Sequence, residues 1–299
     1  MNDFNLEEEI ICNYTVSKEM KKVWKIQLDM LKKFMEVCDK HGLKYFLTAG
    51  SMLGAVRHNG FIPWDDDIDI GMLRDDYNRL LEIADKEFKY PYFFQTPYND
   101  NIYRGHAQLR NSETTAILPH ELGLEFNQGI FMDIFPYDGI PNNKILYKIQ
   151  KNKIKDMVNI MSWYKCYNPN LKNSITMKIK KVFSNVFFKF VNYKKFYAHF
   201  EKVCSKYSSL DDVLVSNLSL IYDRPKYQHN KKYFEELFFH KFENLSVPIP
   251  KEYDKILSKQ YGNYMEFKKG TATHGCLILN PDISYKKYIL EGEKSSEKV

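Results

Sequence analysis

The tetrapeptide Asp67-Ile68-Asp69-Ile70, within RHNGFIPWDDDIDIGML (residues 57–73), alternates charge with apolar bulk. A period of two fits a strand, where residues two apart share a face. Asp67 and Asp69 then point one way, while Ile68 and Ile70 pack into a core. Two neighbouring carboxylates repel strongly unless a cation lies between them. Oxygen-only ligands favour Mg²⁺ or Mn²⁺, ions that commonly also take phosphate oxygens from a substrate. In GIFMDIFP a third acid, Asp133, is again the one polar residue on an apolar strand. An unpaired carboxylate buried there is costly, so a strand beside the first would make Asp133 the third member of one site.

The other acids have competing explanations. Asp75 and Asp76 suit the start of a helix, where negative charge is favourable. Asp65 and Asp66 fit two roles equally, as loop residues bonded to backbone amides or as part of the site. An EF-hand fails: counted from Asp65, the sixth position is Ile70 rather than Gly and the twelfth is Asp76 rather than Glu.

Upstream, TAGSMLGAVRHNG follows a strand candidate (Tyr45 to Ala49) and opens a helix. Gly50-Ser51 permits a sharp turn, and amides at a helix start can hold phosphate. Arg57 and His58 could bring charge to a diphosphate, and Arg110 in AQLRNSETT could grip one with two bonds. Each could equally make a surface ion pair.

Elsewhere, Lys18 to Lys40 and Asp75 to Phe88 have helical apolar spacing, with Ser17 before and Gly42 after the first. YFFQT, HAQLR and GIFMDIF read as strands. VPIPKEYDKILSKQYGNYMEF reads as a Pro-bounded loop, a helix and a stop at Gly262. The chain is 44% hydrophobic, enough for a buried core. No apolar run approaches the roughly 20 residues of a membrane span. The acidic start MNDFNLEEEI lacks a signal segment, and the five cysteines form no C-x-x-C pair. These features lead us to expect a reduced, cytoplasmic protein. Between Pro141 and Leu210 there are fifteen lysines against Asp156 and Glu201 alone. The expectation is an α/β core over residues 1–140 and a lysine-rich, largely helical part over 141–299, together one domain.

YFLTAGSMLGAVRHNGFIPWDDDIDIGMLRDDYNRL, AQLRNSETT, GIFMDIFPYDGIP and VPIPKEYDKILSKQYGNYM, in that order, resemble the LicD family, which includes bacterial phosphocholine transferases and is related to the fukutin proteins. The resemblance runs from about Lys32 to His274 and is loose between Lys144 and about Lys232. It implies a nucleotidyltransferase-type α/β (α+β) fold, a mixed sheet flanked by helices. It also implies Gly50-Ser51 as the phosphate-side turn and Asp67, Asp69 and Asp133 as catalytic, metal-binding acids. Members transfer a phosphorylated alcohol, choline best known and glycerol or ribitol in relatives, from a CDP-linked donor to a sugar hydroxyl of a surface glycan such as lipopolysaccharide, teichoic acid or capsule. One departure is a longer interval from Gly50-Ser51 to Asp67 than in the wider nucleotidyltransferase pattern, which the Trp-Asp-Asp-Asp insertion explains. The expected partners are therefore a CDP-linked donor and a glycan or lipid-linked glycan acceptor. Asp133 could take the acceptor's proton, and His274 could serve as a base, a supporting residue or a structural histidine. Competing classes are nucleotidyl transfer to a small molecule, a non-catalytic membrane or glycan-binding module, and nucleic-acid binding. All three acids are present, against a dead enzyme, and no nucleic-acid recognition motif stands beside the lysines.

One segment allows two opposite outcomes. In MKIKKVFSNVFFKFVNYKKFY (177–197), Ile179, Val182, Phe183, Val186, Phe187, Phe190, Tyr193 and Tyr197 share a face at helical spacing. Either this face lies in the core with its lysines in water, or the lysine-rich segment (141–210) rests on the anionic inner face of the cell membrane.

Overall fold

The computed structural model describes residues 4–122, 124–164, 175–268 and 277–296. A short hairpin (Glu9–Ile11 with Tyr14–Val16) leads into helix Lys18–His41. The Ser17 hydroxyl accepts a hydrogen bond from Met20 N–H at 3.2 Å, and Gly42 ends the helix at φ 59°, a left-handed conformation suited to glycine. Trp24, Leu28, Leu31, Phe34 and Cys38 recur every three or four residues and are buried. Their stripe covers the central sheet.

That sheet has seven strands in mixed orientation, with helices packed against it. Its centre is the eleven-residue strand Ile130–Ile140. Asp69–Leu73 pairs with it in parallel, Ala107–Asn111 runs antiparallel to its first half, and Leu214–Ser216 antiparallel to its end. Phe46–Leu47, Tyr92–Gln95 and His229–Asn230 complete the sheet. Because Leu214–Ser216 and His229–Asn230 belong to it, the sheet draws strands from both sides of position 140. Gly71 stands opposite Phe46, and a Cβ on it would lie 2.2 Å from the Phe46 ring, so only glycine lets that ring lie flat on the strand.

Helices Lys144–Trp163 and Tyr193–Cys204 build a second apolar cluster from Ile154, Met157, Met161, Tyr193, Tyr197 and Phe200. A buried ion network fastens it to the sheet. Arg74, at the start of helix Arg74–Glu87, donates two bonds of 2.7 Å to Asp138 and one of 3.1 Å to Glu201 of helix Tyr193–Cys204.

Several sequence expectations change here. The helix after Gly50-Ser51 starts earlier, at Ala49, and the aspartate strand starts at Asp69, leaving Asp67 just before it. The VPIP segment is no loop: Leu245–Pro250 pairs with Leu237–Phe242 in a two-stranded hairpin, where proline need not donate to a further strand. Helix Tyr253–Tyr261 follows and ends at Gly262.

Candidate active site

The parallel register of the two central strands sets Asp69 directly opposite Asp133. Asp67 joins them from the preceding turn, and ligand oxygens of all three lie within 4.8 Å of one another. Ile68 and Ile70 are fully buried beneath. A register slip of one residue would turn one carboxylate to the opposite face, so the apolar alternation holds the acids together.

Neighbouring elements fix the acidic segment and Asp133. Asp69 N–H donates to Ser51 Oγ at 2.8 Å, tying the strand to helix Ala49–His58. Ser51 therefore positions Asp69 and is itself buried. From the long N-terminal helix, Trp24 Nε1 donates to the Asp65 carbonyl at 3.0 Å and Gln27 Nε2 to the Asp66 carbonyl at 2.7 Å. Gln108 Nε2, on strand Ala107–Asn111, donates to Asp133 Oδ1 at 2.7 Å, and Nε2 of His106, just before that strand, lies 3.1 Å from the same oxygen. Beside an ionised Asp133 the His106 Nε2 donates, and its buried Nδ1 has no hydrogen-bond partner among the described residues.

The cluster is strained by its own charge. Burial pushes the Asp67 carboxyl well above its ordinary pKa, and the charges of Asp69, Asp65, Asp133 and Asp66 push it further. Three clustered carboxylates offering only oxygen, Asp67 and Asp133 buried and Asp69 half-buried, fit a hard divalent cation, which would relieve that repulsion. A second group, Asp65, Asp66 and Asp67, is equally close.

The acids Asp65, Asp67, Asp69 and Asp133 face a cavity of about 600 Å³. Gly50 forms part of its wall, and a Cβ there would approach Asp65 Oδ2 to 2.8 Å. The C-terminal half contributes Arg224, Tyr227, Tyr261 and Lys268 to the lining. Trp64, Phe135, Tyr137 and Tyr264 add further aromatic surface.

The basic residues singled out from the sequence separate. Arg57 lines the cavity and donates to the Tyr264 carbonyl at 3.0 Å. Its neighbour His58 does not supply charge: burial, with Arg57 beside it, lowers its pKa to about 4, and its Nε2 accepts from Arg57 Nε at 3.0 Å. Arg110 lies behind the site, outside the cavity lining. It is buried and bonded to Gln95, to the Gly129 carbonyl at 2.8 Å and to Gln108 Oε1 at 2.7 Å. Burial, then Arg104, lowers its pKa to about 9. It orients Gln108, which in turn holds Asp133. Arg110→Lys should therefore lower thermal stability by about 1–3 kcal/mol through lost buried hydrogen bonds. KM for the CDP-linked donor expected from the sequence should stay within twofold, as steady-state kinetics and thermal melts would show. His274 lies outside the described residues.

Residues 42–160 match the family model described as LicD/FKTN/FKRP, nucleotidyltransferase domain. The chain is 29% identical over 245 residues to the lipopolysaccharide cholinephosphotransferase LicD of Haemophilus influenzae, covering 80% of this chain and 88% of that protein. It is 30% identical over 150 residues to the uncharacterized protein RP689 of Rickettsia prowazekii, covering 46% and 53%. A 51-residue stretch is 39% identical to the ribitol 5-phosphate transferase FKRP of Homo sapiens, covering 17% of this chain and 10% of that one.

Proposed function

We propose, since this chain belongs to the LicD family and is a phosphotransferase of that type, that it moves phosphocholine from CDP-choline to a sugar hydroxyl of a cell-surface glycan, releasing CMP. The observation that carries this reading is the meeting of Asp67, Asp69 and Asp133 beside an aromatic-walled cavity. The three acids would hold Mg²⁺ or Mn²⁺, which when bound neutralises diphosphate charge and steadies the departing nucleotide.

The chain's own groups do the rest by position and charge. Arg57, Arg224 and Lys268 on the cavity wall would face the donor's phosphates, beside the first-turn amides around Gly50. Asp133, held by His106 and Gln108, would accept the proton of the acceptor hydroxyl. The hydroxyl oxygen bonds to the phosphorus bearing the alcohol. The bond from that phosphorus to the bridging oxygen breaks, and CMP leaves with its electron pair. Trp64, Tyr137, Tyr227 and Tyr261 favour a trimethylammonium group, which aromatic faces attract, over a polyol that needs many hydrogen-bond partners. A cytoplasmic location, where nucleotide-linked donors are made, belongs to the same reading.

Competition among CDP-choline, CDP-ribitol and CDP-glycerol tests the donor. kcat/KM for CMP release should be at least tenfold higher with CDP-choline. A higher value for CDP-ribitol overturns the choline assignment.

A further inference from the structure

Helix Ile175–Phe190 is mounted the opposite way from a core helix. Its inward side is modest: Ser184 is fully buried and donates to the Ile160 carbonyl at 2.6 Å, with Phe187 and Phe188 half-buried beside it. Its outward side carries the apolar strip. Ile175, Ile179, Val182, Phe183, Val186 and Phe190 are all exposed, Phe190 at 87%. At about 100° per residue these six fall within an arc of about 100°. Of the face expected from the sequence, only Tyr193 and Tyr197, on the next helix, reach the core. The core-helix outcome therefore fails for the other exposed members.

Charge decides what such a strip can meet. Lys178 and Lys189 are exposed and fall along one edge of the arc, with Lys181 exposed beyond them. Neither this helix nor its successor carries an acid except Glu201, which is turned inward to Arg74 and Tyr98. A second copy packed by two-fold symmetry would set these lysines against one another. An anionic bilayer matches both features, taking the apolar strip at its headgroup boundary and the lysines at its charged surface. Among the described residues no helix is long and apolar enough to cross a membrane. At 1.5 Å per residue, sixteen residues span roughly 24 Å, enough for a helix lying in the membrane plane.

We infer that helix Ile175–Phe190 docks the protein on the surface of anionic lipid bilayers, with its apolar strip inserted and its lysines on the headgroups. The inference stands apart from the choice of donor.

The test is co-sedimentation of the full chain with vesicles of neutral phosphatidylcholine, alone or with a third phosphatidylglycerol. Wild type should partition onto the anionic vesicles, less so as salt rises. Phe183→Ser with Phe190→Ser removes the insertion. Lys178→Glu, Lys181→Glu and Lys189→Glu together remove the charge match. Since one lysine contributes about fivefold to partition, losing three should cost about a hundredfold, and the reversal to glutamate at least that much. All these side chains are exposed, so both variants should melt like wild type, and the melts distinguish lost docking from lost fold. Equal binding to both vesicle types, or unchanged binding by either variant, overturns the inference. So does a concentration-dependent dimer that the phenylalanine variant abolishes while wild type ignores vesicles, because the strip then meets a second copy.

Discussion

Asp67→Asn should lower turnover by roughly a thousandfold or more while making the metal-free protein more stable. The catalytic loss follows from removing one charge from the proposed ion site, a contribution of several kcal/mol at about 1.4 kcal/mol per decade of rate. The stability gain follows from the raised pKa of Asp67, whose causes are burial and then the surrounding aspartates. In the unfolded chain its carboxyl ionises at the ordinary value near 4. In the fold it holds its proton to higher pH, so the folded state binds more protons between the two values. Wild-type stability without metal therefore falls as pH rises through that window. Asparagine cannot ionise and escapes the loss, so the variant's advantage grows through the window and then levels off. Mn²⁺ should raise the wild-type melting temperature by mass action and leave the variant's almost unmoved. Thermal melts from pH 4 to 8, in EDTA and in Mn²⁺, check both halves. A variant less stable in EDTA, or one still stabilised by Mn²⁺ as much as wild type, contradicts the assignment. Asp69→Asn and Asp133→Asn should lose turnover similarly.

Arg74→Met should destabilise the whole protein by about 3–5 kcal/mol, because it strands a buried charge. Arg74 and Asp138 are 4% and 0% exposed and share two bonds of 2.7 Å. Burial opposes the guanidinium's charge, yet Asp138 and Glu201 hold its pKa well above the ordinary arginine value. For a chain of this size the loss corresponds to roughly 10 °C in melting temperature. Arg74→Met with Asp138→Leu, which removes both charges, should recover part of it. Urea denaturation gives the comparison. A single variant within 1 kcal/mol of wild type would show that the network does not fasten the helices to the sheet.

The acids were legible because alternation is a local signal. Asp69 and Asp133 each sit between apolar neighbours and Asp67 is two residues before Asp69, and the paired strands bring the three together. What steadies them was not legible. Trp24 and Gln27 act on a segment some forty residues away, and nothing in the spacing of a helix names the carbonyl its buried polar atoms will reach. His106 and Gln108 read as ordinary strand residues until their strand is known to lie beside Asp133. Arg110 shows the reverse error. Read as a phosphate ligand from its type, it shares a strand face with Gln108, and the rings of Phe126 and Phe131 cover it. Arg224 and Lys268 reach the cavity from a half of the chain that reads as largely helical. Helix Ile175–Phe190 marks a further limit: a period of 3.6 identifies an apolar face without saying whether protein or solvent meets it.

Phosphorus-31 NMR of the purified protein with CDP-choline, a glycan acceptor and Mg²⁺ follows the reacting atoms directly. The two diphosphate resonances should give way to equal amounts of CMP and a sugar–choline phosphodiester, with no reaction in EDTA and recovery when Mg²⁺ is restored. Undiminished turnover in EDTA, or pyrophosphate formed from CTP with the nucleotide left on the acceptor, would contradict metal-dependent phosphocholine transfer.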